Sequence, residues 1–200
     1  MIDSIEALEA LYPGKLSVAT TRKVAHALTP SYRKWILASR FAVLSTVGPE
    51  GTDGSPRGDD GPVVQELDPK HLLMPDWRGN NRLDSLRNIV RDGRVSLMFM
   101  VPGSDNVVRV NGQAHLSAAP ELRERFSQKG RLPACVIVIE IAEIYSQCAR
   151  AVMRAKLWTG DDESTGLPSV GEILEEMMEG DFDGATYDKE WPDRAKKTLW

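Results

Sequence analysis

Residues 73–116 read LMPDWRGNNRLDSLRNIVRDGRVSLMFMVPGSDNVVRVNGQAHL, from Leu73 to Leu116. A polar, arginine-bearing loop leads into a short amphipathic stretch with Leu83, Leu86, Ile89 and Val90 at helical spacing. Asp92-Gly93 ends it, because glycine accepts the left-handed cap. Arg94 to Val101 is then an apolar strand, with Val95, Leu97 and Phe99 on one face and Met98 and Met100 on the other. That pattern predicts cover on both sides, the second cover being another subunit. Pro102-Gly103-Ser104-Asp105 is turn chemistry. Asn106 to Leu116 returns as a strand, with Gly112 placed for a bulge. The loop Arg78-Gly79-Asn80-Asn81-Arg82 falls where the first free N–H groups of a helix from Asn81 would point. Guanidiniums and amides at a helix start predict a phosphate site.

Working outward, Phe41 to Val47 is a strand by its β-branched and aromatic content. Gly48-Pro49-Glu50-Gly51 turns the chain, and Ser55-Pro56-Arg57-Gly58-Asp59-Asp60-Gly61 interrupts the next strand. Val63 to Leu67 resumes it, and His71 to Met74 is a short strand. Pro120 to Ser127 predicts a helix, and Cys135 to Ile144 (CVIVIEIAEI) a decisive strand. Short strands with few long helices between them predict an antiparallel barrel or sandwich. Residues 1–39 read as a helical preface: a helix from the capping-box spacing at Asp3-Ser4-Ile5-Glu6, one after Thr20-Thr21 and one after Pro30-Ser31. At the other end, CARAVMRAKLW turns helical, and a linker from Thr159 to Thr165 leads to a helix from Ser169 to Met178. Residues 159–200 form this helix and an arm, with aromatics at Tyr187, Trp191 and Trp200, packed on the barrel or on a partner chain.

The chain has 200 residues, and its net charge of −4 argues against a nucleic-acid partner. No apolar run reaches membrane-spanning length, and the start lacks a basic, signal-like region, so no membrane role is expected and the expected location is cytoplasmic. Cys135 and Cys148, the only cysteines, are expected to be reduced. His26, His71 and His115 make no metal-ligand spacing with them, so no metal is expected. Asp161 to Glu172 imitates a calcium loop but carries Glu163 at the third position. The Arg-Gly-Asp triplet at 57–59 is read as coincidence. Neither a Gly-x-Gly-x-x-Gly after a strand nor a Walker loop is present, which disfavours a Rossmann dinucleotide site.

With these elements in order, the chain resembles the pyridoxamine 5′-phosphate oxidase-like family over roughly Arg40 to Trp158. The resemblance rests on FAVLSTVGPEG, on SPRGD, on GNNRLDSLRNIVRDGRVSLMFMVPG with RVNGQAHL, and on CARAVMRAKLW, which looks like a late segment of an uncharacterised bacterial subgroup. It implies a mainly β fold with peripheral helices: a six-stranded antiparallel split β-barrel (Greek key) of the FMN-binding type, spanning 40–158. It also implies a homodimer with FMN at the subunit interface. True pyridoxamine phosphate oxidases carry an Arg-x-Val-Leu-Leu-Lys strand where this chain has SPRGDDGPVV, and a glutamine where it has Val107. Their C-terminal arginine and histidine cluster is only loosely echoed by Trp191-Pro192-Asp193-Arg194. These departures point away from the vitamin B6 phosphate as substrate.

For an FMN phosphate, Arg82, Asn80 and Asn81 are the first candidates, then Arg57, with Ser55 adding a hydroxyl. Lys156 or Arg57 is the candidate for the positive group near the flavin N1, and Trp158 or Trp77 for the ring wall. No protein acid or base is nominated, so the catalytic residues stay unassigned. The expected function is a flavin-dependent oxidoreductase passing hydride from a reduced nicotinamide or deazaflavin to a small acceptor or oxygen. The alternatives are a flavin-binding sensor or carrier without turnover, and a haem-binding barrel using His71 or His115.

Overall fold

A computed structural model describes residues 1–199; Trp200, expected among the aromatics of the tail, lies outside the described residues. The chain opens with α1 (Ile5–Ala10), α2 (Val18–Arg22) and α3 (Pro30–Leu37). Each begins at a hydroxyl that accepts a backbone N–H: Ser4 from Ala7, Ser17 from Thr20, and Thr29 from Tyr32. Ser17 therefore starts α2 ahead of Thr20-Thr21. No residue of α1 is buried, whereas α3 buries Ile36. The Tyr32 hydroxyl donates to the Lys23 carbonyl at 2.6 Å and accepts from Ser146 N–H at 3.2 Å, which ties α3 to the sheet.

The strands are β1 (Phe41–Gly48), β2 (Gly51–Gly58), β3 (Gln65–Asp68), β4 (His71–Asp76), β5 (Arg94–Met100), β6 (Val107–Ser117) and β7 (Cys135–Gln147). They form one antiparallel sheet in the order β2-β1-β5-β6-β7-β4-β3. Two expectations change here. The sheet has seven strands rather than six, and its hydrogen-bonded ladder does not close, leaving β2 and β3 as edges. The one strand expected to be interrupted at 55–61 is two, β2 and β3, and the SPRG stretch, a break by its composition and a strand by the resemblance, does not break the pairing. Instead Ser55 pairs with Leu44 and Arg57 with Ala42. An edge strand has one unpaired side, so it tolerates Pro56 and the glycines that a central strand would reject.

One face of the sheet makes the core. Ala42, Leu44, Val95, Leu97, Phe99, Val108, Val110, Ile137, Ile139 and Ile144 are buried there, together with Ile36 and Ile89 from helices. A second cluster, Leu73, Phe126, Val136 and Val138, covers the other face of β4 and β7, with Trp77 packed against it. β7 is thus enclosed on both sides over residues 136–139, and one face opens to solvent from Glu140 onward. β5 is not enclosed in this way: it alternates, with Met98 37% exposed and Met100 half-buried in the single chain. The pairing of β6 with β7 shifts between Asn111 and Gly112. A Cβ at Gly112 would lie 1.9 Å from the Glu140 carbonyl oxygen, so only glycine fits this bulge.

Helix α4 (Asp84–Arg91) packs on β1 through Leu86, Ile89 and Asn88, whose buried amide donates to the Thr46 hydroxyl at 3.1 Å. It starts at Asp84, after Asn81, and Val90, expected on its apolar face, is 74% exposed. Gly93, at φ 78°, follows its end as expected. The chain closes with α5 (Pro120–Glu124), α6 (Arg150–Arg154), α7 (Val170–Met177) and α8 (Gly184–Thr198). The tail expected as an arm is largely α8, which packs on α7. A Cβ at Gly171 would lie 2.2 Å from the Gly184 carbonyl oxygen, and Asp188 accepts from Gly171 N–H at 2.9 Å. Among the described residues, no helix is long and apolar enough to cross a membrane.

Candidate functional site

The two ends of the sheet curl toward each other, and a cleft of about 1240 Å³ opens between them. β2 supplies Asp53, Ser55 and Arg57, which share one face because successive strand residues alternate. The end of β4 supplies Asp76, and the loop into α4 supplies Trp77 to Leu83. Ser55, Arg57, Asn80, Asn81 and Arg82, dispersed over 28 positions of sequence, therefore line one cavity.

Their states differ. Arg57 is the inner cation, its side chain 17% exposed. Its Nη1 donates to Asp76 Oδ1 at 2.6 Å, while its Nε is buried with no hydrogen-bond partner among the described residues. Arg82 is the outer one, its side chain 79% exposed, with Nε 2.5 Å from Asp84 Oδ2. The Asp84 contact holds the Arg82 guanidinium above its ordinary pKa. Asn80 shapes the loop: its Oδ1 accepts from Arg82 N–H at 3.0 Å. Asn81 takes φ 60°, the left-handed region that asparagine tolerates better than most side chains. The Arg78–Arg82 loop therefore precedes the helix rather than opening it. In the first turn of the helix, Ser85 Oγ donates to Asp53 of β2.

Trp77 lines the cleft and donates through Nε1 to Asp59 Oδ2 at 2.9 Å. Lys156 and Trp158 do not line it. Trp158 donates to the Ser104 carbonyl at 2.9 Å, beside the turn between β5 and β6, and Lys156 is exposed at φ 49°. Neither His71 nor His115 lines the cleft; His71 Nδ1 sits 2.9 Å from Asp68 Oδ2. Sequence reasoning missed Asp76, Arg131, Leu132, Cys135 and Leu199, which complete the lining. The signal for Asp76 was its place between a strand and the arginine-bearing loop, and Cys135 pairs with it across β4 and β7. Burial first, then the Asp76 charge, pushes the Cys135 thiol above its ordinary pKa.

The lining fits a phosphate-bearing group in one definite respect. Arg57 brings a planar guanidinium to the cleft, held through Nη1 by Asp76, and that geometry matches phosphate oxygens. A sequence model of the family described as pyridoxamine 5′-phosphate oxidase matches residues 28–148. The chain belongs to that family. The family match spans all seven strands and stops short of α6, α7 and α8. A HupZ variant from Group A Streptococcus shares the fold with TM-score 0.50 and 16% identity, over 60% of this chain and 98% of that one. A Lactobacillus delbrueckii protein provisionally named a pyridoxamine 5′-phosphate oxidase gives 0.47 and 23%, over 60% and 95%. An FMN-binding protein from Syntrophomonas wolfei gives 0.43 and 14%, over 58% and 88%. At such identities the likeness is one of fold alone. No curated protein matches the chain.

Proposed function

We propose that this member of the pyridoxamine 5′-phosphate oxidase family binds FMN in the cleft and works as a flavin-dependent oxidoreductase. The observation that carries the reading is Arg57: a largely buried cation that lines the cleft and is held there through Nη1 by Asp76. Arg57 would take the phosphate with its guanidinium, and the Ser55 hydroxyl, on the same face of β2, would add a second donor. Arg82 would contribute from the mouth as a mobile counter-charge. Trp77, anchored by Asp59, offers a flat apolar side to a ring system. FMN, when bound, supplies the hydride chemistry between a reduced nicotinamide or deazaflavin and a small acceptor. The chain's own part is to orient the cofactor, to balance its charge and to limit water around it.

We also propose that the protein is a homodimer. The reading is supported by the outward face of β1 and β5, where Phe41 and Met98 are each 37% exposed. A second copy would cover that face.

The test is a flavin titration of the full-length chain followed by anaerobic reduction with NADPH. Saturable FMN binding, weakened by Arg57→Ala, with reduction and fast reoxidation, is expected. Binding without reduction by any hydride donor would leave a flavin-binding module. A chain indifferent to FMN would overturn the reading.

A further inference from the structure

The cleft acquires apolar lining from two parts of the molecule, one of them outside the family match. Leu199, just beyond α8, and Leu132, ahead of β7, both line it. They are 56% and 41% exposed. Much of the remaining lining is charged or amide-bearing, so these two leucines leave apolar area in water where a ligand would enter. Their positions are coupled. Arg131, next to Leu132, donates from Nη1 to the Lys197 carbonyl at 3.2 Å. The end of α8 is thereby held beside the residues that lead into β7. α8 also rests on α7, through the close approach of Gly171 and Gly184 and the Asp188 carboxylate that accepts from Gly171 N–H.

We propose that Leu199 and Leu132 form an apolar wall against which the ring of a planar, phosphate-bearing ligand packs, so that the C-terminal residues belong to the binding site. The inference deepens the FMN reading and rests on it for the identity of the ring. Its chemistry is distinct from that of Arg57. A wall of leucines recognises a ring by the area taken out of water and is indifferent to phosphate. Arg57 recognises phosphate and is indifferent to the ring.

Titration with FMN and with riboflavin, which has the same ring and no phosphate, separates the two. In the full-length protein, Leu199→Ser is expected to weaken both flavins by the same factor, about tenfold. Leu199→Met is expected to restore both. Arg57→Ala, run in parallel, is expected to weaken FMN and leave riboflavin unchanged. Leu132→Ser provides an independent variant on the other half of the wall, and circular dichroism confirms that each variant is folded. If the wild type binds FMN and both serine variants bind the two flavins as tightly as it does, the wall is overturned and the FMN reading stands. If the wild type binds neither flavin, the FMN reading falls and the wall with it.

Discussion

Arg57 on β2 and Asp76 at the end of β4 are 2.6 Å apart, Nη1 to Oδ1, although β2 is one edge of the sheet and β4 is next to the other. The backbone ladder never joins those ends. The ion pair does, and the cleft lies beside it. With side chains only 17% and 15% exposed, the pair is more than a surface contact. Removing either partner leaves a largely buried charge uncompensated. Arg57→Ala and Asp76→Asn are each expected to destabilise the fold by roughly 3 kcal/mol, the lower end for broken buried pairs. Urea midpoints check this. FMN is expected to stabilise Asp76→Asn by more than it stabilises wild type, because its phosphate replaces the missing negative charge beside Arg57.

Arg82 stands in a different environment, and its loss is expected to matter less. It is 79% exposed and already paired with Asp84. Arg82→Ala should weaken FMN by only about 1 kcal/mol or less, the range for exposed ion contacts. Arg57→Ala should cost about 1.5–3 kcal/mol, the range for hydrogen bonds to charged groups. Calorimetric titrations at low and high salt distinguish them: the Arg82 contribution disappears with added salt while that of Arg57 persists.

Glu66 on β3 accepts from Arg33 Nε and Nη2 at 2.6 and 2.8 Å, anchoring α3. The hydrogen bond from Arg33, then its charge, holds the Glu66 carboxyl below the ordinary range. A carboxylate depressed in the folded state contributes stability above its unfolded pKa and loses it as pH falls through the folded value. Glu66→Gln is therefore expected to lower the melting temperature at neutral pH. The gap from wild type should begin to narrow below the unfolded glutamate value of about 4.3 and close at lower pH.

Gly112→Ala tests the bulge. With a Cβ 1.9 Å from the Glu140 carbonyl oxygen, the backbone of β6 or β7 has to move. The expected cost is about 1–3 kcal/mol, the range for forcing extra volume into a packed site. Chemical denaturation measures it.

Cys135 reports on the cleft. Its thiol is half-buried and its pKa raised, whereas Cys148 is exposed. Since the thiolate is the reactive form, alkylation at neutral pH is expected to be slower at Cys135 than at Cys148, and faster as the pH rises. FMN is expected to protect Cys135 and not Cys148. Mass spectrometry of alkylated peptides reads both sites at once.

Where the information is local, the residues alone are sufficient. Gly93 ends α4 and Gly112 makes the bulge because only glycine suits those backbones, and the β-branched, apolar residues of Cys135 to Ile144 read as a strand. The order of such passages also carried the family. Where elements distant in sequence meet, local chemistry was silent or misleading. Pro56 and its glycines look like a break, and pairing along an edge made them a strand. The RGNNR loop reads as a helix start, but Asn81 takes a left-handed turn and the helix begins only at Asp84. α8 was hidden because its helix is supported by α7 rather than by a strong pattern of its own. That Arg57 faces Asp76, and that Leu199 returns to the cleft, depends on the curl of the sheet and the path of the tail. These are sums of contacts between residues far apart in the chain, which no local spacing encodes.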